Sequence, residues 1–257
     1  MRAIAIMNNK GGVGKTITAS ALADILTQRY KQTVVLVDCD GQTNLTQMYL
    51  PQFDPVEAMT TVDILMGCWK TLWSDNLTPI TPELSILPGA SGLYDLDLWA
   101  IKDGVQPPQD RLRQFAECAR DDGDTDWMIF DCPPGYTVSS IGALMAADEV
   151  IIPVTPEKFA IAGMTAVSKQ MLQLAANKPG IRTRALLVDC GSTDAADAAV
   201  TLLRDVMRAP AFDTVIRHSD KAPESGLSEM RLMEYSPRCA AAVDYRRLAR
   251  ELMEEVQ

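Results

Sequence analysis

Residues 8–16 read Asn8-Asn9-Lys10-Gly11-Gly12-Val13-Gly14-Lys15-Thr16, between the apolar run Ala3 to Met7 and a helix-length segment, Thr16 to Tyr30. The glycines carry no Cβ, so successive backbone N–H groups can turn inward around phosphate oxygens. The following helix points the positive end of its dipole at the same anion. Lys15 is spaced to reach the β- and γ-phosphates of a nucleotide, and the Thr16 hydroxyl is the expected Mg2+ ligand. Lys10, Gly11, Gly12, Val13, Gly14, Lys15, Thr16 and Ile17 therefore form the expected nucleotide-binding segment. The usual loop opens on a glycine five positions before the closing glycine, and here Asn9 stands at that place with an extra lysine, Lys10, beside it.

A strand, loop and helix in this order imply further strands. Apolar, β-branched runs recur at Thr33 to Val37, Trp127 to Phe130, Val150 to Val154, Ala185 to Val188 and Thr214 to Ile216. Helical segments read as Gln109 to Ala119, Ser139 to Ala147, Ala162 to Ala176, Ala195 to Met207 and Pro237 to Glu255. The alternation predicts an α/β chain: a single doubly wound, mostly parallel sheet flanked by helices, in one domain over 1–257. The stretch 51–108 is the least regular, with three of the four tryptophans and a short strand at Leu84 to Leu87, and reads as an irregular insertion packed on the core.

Carboxylates at the ends of parallel strands collect on the edge of the sheet where ligands bind. Asp131 closes the run Met128-Ile129-Phe130, and Asp38 and Asp40 follow Val34 to Val37. Asp131 is placed to hold the metal side of a nucleotide, while one of the Asp38–Asp40 pair tunes the metal and the other approaches an attacking water.

A hydrophobic fraction of 47% with 23% charged residues excludes a disordered chain, and no apolar run approaches the roughly 20 residues that span a bilayer. The amino terminus reads as a first strand in a cytoplasmic protein. Six cysteines without a Cys-x-x-Cys pair argue for reduced, mostly buried thiols. A net charge of −10 opposes indiscriminate polyanion binding, so any nucleic-acid contact must come from a local patch.

With these residues in view, the chain resembles the ParA/Soj/MinD family of deviant Walker-A ATPases, closest to the short ParA and Soj type. The likeness runs over nearly the whole chain: Lys10 to Thr16, Val37 to Asn44, Asp131-Cys132-Pro133-Pro134, Ile151 to Val154 and Phe159 to Gly163. It implies ATP and Mg2+ as cofactors, with Lys10, Lys15 and Asp40 as catalytic residues and Thr16, Asp38 and Asp131 on the magnesium side. Lys10 would cross the interface of an ATP-bound homodimer to the partner's phosphate, and Asp40 would position the water. The segments after Asp38 and Asp131 would be the two switches. The resemblance also implies a nucleoid-associated protein that grips DNA nonspecifically and positions plasmid, chromosome or protein cargo, with a ParB-like partner stimulating hydrolysis.

In such proteins the carboxy-terminal third carries the DNA-contacting residues. Here it supplies Arg217, His218, Lys221, Arg246 and Arg247, together with Arg231, Arg238 and Arg250, interleaved with acidic neighbours. Arg217 also stands where the family often has a proline beside the base. The last helix ends Glu254-Glu255-Val256-Gln257, without the basic face of a MinD-like membrane anchor, so membrane binding is not expected. A metabolic P-loop enzyme, dethiobiotin-synthetase-like or an amide-forming ligase, shares the expected fold and is the competing class.

Overall fold

The strands that bracket the glycine loop are apolar along their whole length because helices cover both of their faces. The structure is a computed structural model and describes residues 1–70, 72–103, 110–155, 169, 173, 174, 176–191, 201 and 210–255. Its strands are β1 (Arg2–Ile6), β2 (Val34–Asp38), β3 (Thr78–Thr81), β4 (Leu84–Leu87), β5 (Trp127–Asp131), β6 (Glu149–Val154) and β7 (Arg182–Leu187). They form one seven-stranded sheet in the order β3-β4-β2-β5-β1-β6-β7. Every neighbouring pair is parallel except β3 and β4. The order reverses around β1, with β2 on one side and β6 on the other, and the crevice at such a switch point is where α/β sheets take ligands.

The described helices are α1 (Lys15–Tyr30), α2 (Asn44–Tyr49), α3 (Thr61–Met66), α4 (Gly92–Asp103), α5 (Arg111–Asp122), α6 (Val138–Ala146), α7 (Lys221–Leu227), α8 (Leu232–Tyr235) and α9 (Ala240–Glu254). One core unites Ile4, Ile6, Leu36 and Ile129 of the sheet with α1 and α9. The other unites Ala3, Ala5, Val37 and Phe130 with α3, α5 and α6. α9 packs because Ala241, Tyr245, Leu248 and Leu252 recur at helical spacing and are all buried. It starts at Ala240 rather than Pro237 because Cys239 caps it, Sγ accepting from the Ala242 N–H at 3.4 Å. α6 is set by a reciprocal cap: Thr137 Oγ1 accepts from Ser140 N (3.1 Å) and Ser140 Oγ accepts from Thr137 N (2.7 Å).

The segment 51–108 contributes β3 and β4 to the main sheet, β4 lying in parallel register beside β2. The strand expected at Thr214 to Ile216 does not form. The chain on either side makes isolated bridges instead, Ala211 to Ala185 of β7 and Arg217 to Cys190 just past it, and between them the Glu251 carboxylate takes the N–H groups of Asp213 (2.8 Å) and Thr214 (3.0 Å). The helices expected at 162–176 and 195–207 fall largely outside the described residues, as does the Phe159 to Gly163 motif.

At the edge of the sheet opposite the glycine loop, the buried Glu149 of β6 pairs with Arg2 and Arg184. Glu255, just past α9, binds Arg182 (2.8 Å), Arg184 (2.5 Å) and Arg2 (3.1 Å). The network ties the end of α9 to three strands. Arg184 is buried and packs over the Phe212 ring at 3.7 Å, so Glu149→Ala, which removes one of its two carboxylate partners and leaves Glu255, should cost about 1–3 kcal/mol of stability in urea unfolding.

Candidate active site

The loop between β1 and α1 folds as its glycines require. Gly12 and Gly14 have φ of +70° and +79°, the left-handed region that costs glycine nothing. Buried Asn8 fixes the loop's entry: its Nδ2 donates to Pro153 O (2.6 Å) at the end of β6, and its Oδ1 accepts from Lys10 N (3.0 Å). Lys15 Nζ donates to Lys10 O at 2.9 Å. Burial lowers the Lys15 pKa, while the charges of Asp131, Cys132 and Asp40 oppose that shift. The side chain of Lys10 is exposed.

Asp38 and Asp131 face each other in the β2–β5 register, and both are buried. Asp38 Oδ2 accepts from Thr46 N (2.9 Å) and Thr46 Oγ1 (2.6 Å), and Oδ1 accepts from Asp40 N (3.1 Å). Burial pushes its pKa up to about 6 in spite of these bonds. Gly89 permits the enclosure, since a Cβ there would lie 2.9 Å from Asp38 Cγ, and its N–H donates to Thr46 Oγ1 (2.9 Å).

Asp131 is different. Both of its oxygens are buried without a hydrogen-bonded partner. Burial first, and the Asp38 charge next, hold its pKa well above the carboxylate range, and Thr16 and Lys15 lie near enough to oppose this without reaching full bonding geometry. A buried carboxylate left in this way is costly, and it suits a site completed by a cation. Thr16 and Asp131 therefore fit Mg2+ on a nucleotide's terminal phosphates. The Asp38 oxygens, by contrast, are bonded to Thr46 and Asp40.

Asp40 lines the same cleft of about 590 Å³, which runs from the glycine loop past Asp189, Arg217 and His218 to Tyr245. Its Oδ1 accepts from Gln42 N at 2.9 Å, a local turn that holds the side chain at the mouth of the cleft. A phosphate-binding loop, a buried lysine, a half-buried carboxylate and an unpartnered one thus meet at the carboxyl ends of β1, β2 and β5.

The AAA domain family matches residues 1–182. The chromosome-partitioning ATPase Soj of Thermus thermophilus is 31% identical, over 100% of this chain and 97% of its own. The chain belongs to the ParA/Soj/MinD family of P-loop ATPases. Among solved structures, MinD from Pyrococcus horikoshii with Mg-ADP has a TM-score of 0.76 at 25% identity, covering 99% of this chain and 97% of its own. Cobyrinic acid a,c-diamide synthase from Mycobacterium smegmatis, with ADP and magnesium, has a TM-score of 0.77 at 24% identity, covering 100% and 95%, and shares the fold alone.

In this family member most of the expected carboxy-terminal cations are tied to neighbouring groups. Arg217 is held by Asp244 through Nε (2.7 Å) and Nη2 (2.9 Å), and it lines the cleft. Lys221 pairs with Glu224 (2.6 Å), Arg231 with Asp24 (2.9 Å) and Arg247 with Asp244 (3.3 Å). Arg246 donates to Pro237 O (2.7 Å). Arg238 and Arg250 are exposed and make no ion pair among the described residues. Sequence reasoning did not single out Asn8 or Thr46 as supports of the site. Asn8 was visible at the strand end, whereas Thr46 is recognisable only once the chain has folded back on Asp38.

His218, the one histidine of the chain, lies between Asp189 (Nδ1 to Oδ1, 2.6 Å) and Asp220 (Nε2 to Oδ1, 3.1 Å). The Asp189 hydrogen bond, then its charge, raises the imidazole pKa. The ion pairs favour the folded state fully below pH of about 6.5, and that contribution is lost as pH rises through the higher folded value. An NMR titration of the ring protons should give a midpoint above 6.5, and Asp189→Asn should lower it.

Proposed function

We propose that this ATPase is a positioning protein: it forms a homodimer when ATP-bound, grips nucleoid DNA nonspecifically in the cytoplasm, and lets go after hydrolysis stimulated by a ParB-like partner. The observation that carries the reading is the pairing of two lysines in one loop. Lys15 is buried against the site's own carboxylates, while Lys10 stands exposed at the loop's tip, free to reach a second subunit's phosphate. An ammonium group brought to the γ-phosphate stabilises the charge that develops in transfer. Relatives named for chromosome partition support the same reading.

Within the site, Lys10 to Ile17 cradle the ATP phosphates, Thr16 and Asp131 hold Mg2+, and Asp38 keeps the first switch closed over them. Bound Mg2+ supplies positive charge to the terminal phosphate oxygens and relieves Asp131. Asp40, half-buried at the cleft, orients the attacking water. The surface proposed for DNA centres on Arg246, with exposed Arg238 and Arg250 beside it. The ion-paired Arg217, His218, Lys221 and Arg247 contribute less to it.

Gel filtration with ATP and Mg2+ tests the proposal. Asp40→Ala should accumulate as a dimer that retards nonspecific DNA, and Lys10→Ala should remain monomeric. The retardation should weaken by about tenfold or more between about 50 and 200 mM salt. A protein that stays monomeric in every case and turns over ATP only with an added carboxylate substrate is a ligase instead.

A further inference from the structure

α4 lies outside the nucleotide cleft, yet it touches both loops that carry the site. The Tyr94 ring lies against Gly41, where an added Cβ would come within 2.7 Å of Cε2 and 2.9 Å of Cζ. Its hydroxyl accepts from Gln42 Nε2 at 2.5 Å. Both contacts fall on the loop directly after Asp40. One turn further along α4, Asp97 Oδ1 accepts from Val138 N at 2.7 Å, at the first residue of α6, and so closes the loop that follows Asp131. A direct tie joins the same two loops, Ser139 Oγ donating to Cys39 O at 2.6 Å.

α4 can act as a fixed reference because its inner face is anchored: Leu93 and Leu96 are buried in the core shared with α3, α5 and α6. Its outer face is open, with Tyr94 43% and Leu98 64% exposed. Asp40 is held from one side by its own N–H on Asp38 Oδ1. On its other side the chain passes at once into Gly41 and Gln42, which rest on Tyr94. Loops of this kind are otherwise free to shift, and a displacement of about 1 Å in a group that positions a reactant can cost about a hundredfold in rate.

We propose that α4 is a brace between the two loops, with Tyr94 and Asp97 as positioning residues that set Asp40 for hydrolysis without contacting the nucleotide. The proposal rests on the reading of Asp40 as the residue that orients the water. It accounts for glycine at position 41, since any side chain there would strike the ring, and for a tyrosine held half in solvent whose hydroxyl bonds a loop rather than the core.

The test is a set of steady-state ATP hydrolysis measurements on the full chain, with thermal unfolding of each variant as a folding control. Tyr94→Ala should lower kcat by about tenfold or more while KM for ATP stays within about twofold, the signature of a group that acts on the reaction and not on binding. Tyr94→Phe, which keeps the ring on Gly41, should retain most of the activity. Gly41→Ala should also lower kcat. The double variant Gly41→Ala/Tyr94→Ala should be no worse than Tyr94→Ala alone, because the ring that the new methyl strikes is gone. Asp97→Ala should lower kcat, and Asp97→Asn, which keeps a carbonyl acceptor for Val138 N, should restore it. The brace is refuted if Tyr94→Ala keeps kcat within about twofold, or if the Gly41 and Tyr94 losses multiply independently. Asp40→Ala separates the two layers: if it hydrolyses ATP at the unmodified rate, the reading of Asp40 falls and the brace loses its target. If it is inactive while Tyr94→Ala is active, the brace alone fails.

Discussion

Two carboxylates stand side by side on paired strands in the interior of this protein, and like charges so placed resist ionising together. Asp38 is accommodated by the chain itself: three hydrogen bonds from Asp40 and Thr46 surround it, and they shape the loop that follows β2. Asp131 is accommodated by nothing of that kind. Its nearest favourable neighbours are Lys15 and Thr16 at the mouth of the glycine loop, so the deficit opens toward the space where a nucleotide and its cation belong. A cation bound in that space would relieve it.

That constraint explains why distant segments converge here. Gly89, at the end of β4, has to be small because Asp38 presses against it, and the same residue donates to Thr46. Asn8 reaches across to Pro153 to fix where the loop begins. Gly41 lies under Tyr94, and Val138 is held by Asp97, so the irregular middle of the chain supports both loops. The ion-pair network around Glu149 lies at the other end of the sheet and holds the frame on which these contacts depend.

Much of this was legible in the sequence because its causes are local. Strands covered on both faces must be continuous apolar runs, so β1, β2, β5 and β6 stand out, and a tight phosphate loop needs glycine where φ is positive, as at Gly12 and Gly14. What was not legible depends on long-range contacts. The strand expected at Thr214 to Ile216 is interrupted where Glu251, far along the chain, takes the N–H groups of Asp213 and Thr214. Within the 51–108 segment β4 was legible at Leu84 to Leu87, whereas β3 was hidden because it carries Pro79 and alternates in burial, a weak signal for an edge strand. The division of labour between Asp38 and Asp131 is decided by Thr46, and the neutralisation of Arg217 by Asp244, partners that no spacing in the sequence announces.

The central claim is that residues 10–16, with Asp131 behind them, form a pocket for the terminal phosphates of a magnesium-bound nucleotide. Isothermal calorimetry of ATP in the presence of Mg2+ tests it most directly. Saturable binding by the unmodified chain and loss of at least about a hundredfold in affinity on Lys15→Ala, or about 2.7 kcal/mol, is the predicted result. Equal affinity for the two proteins, or no uptake by either, would contradict the account.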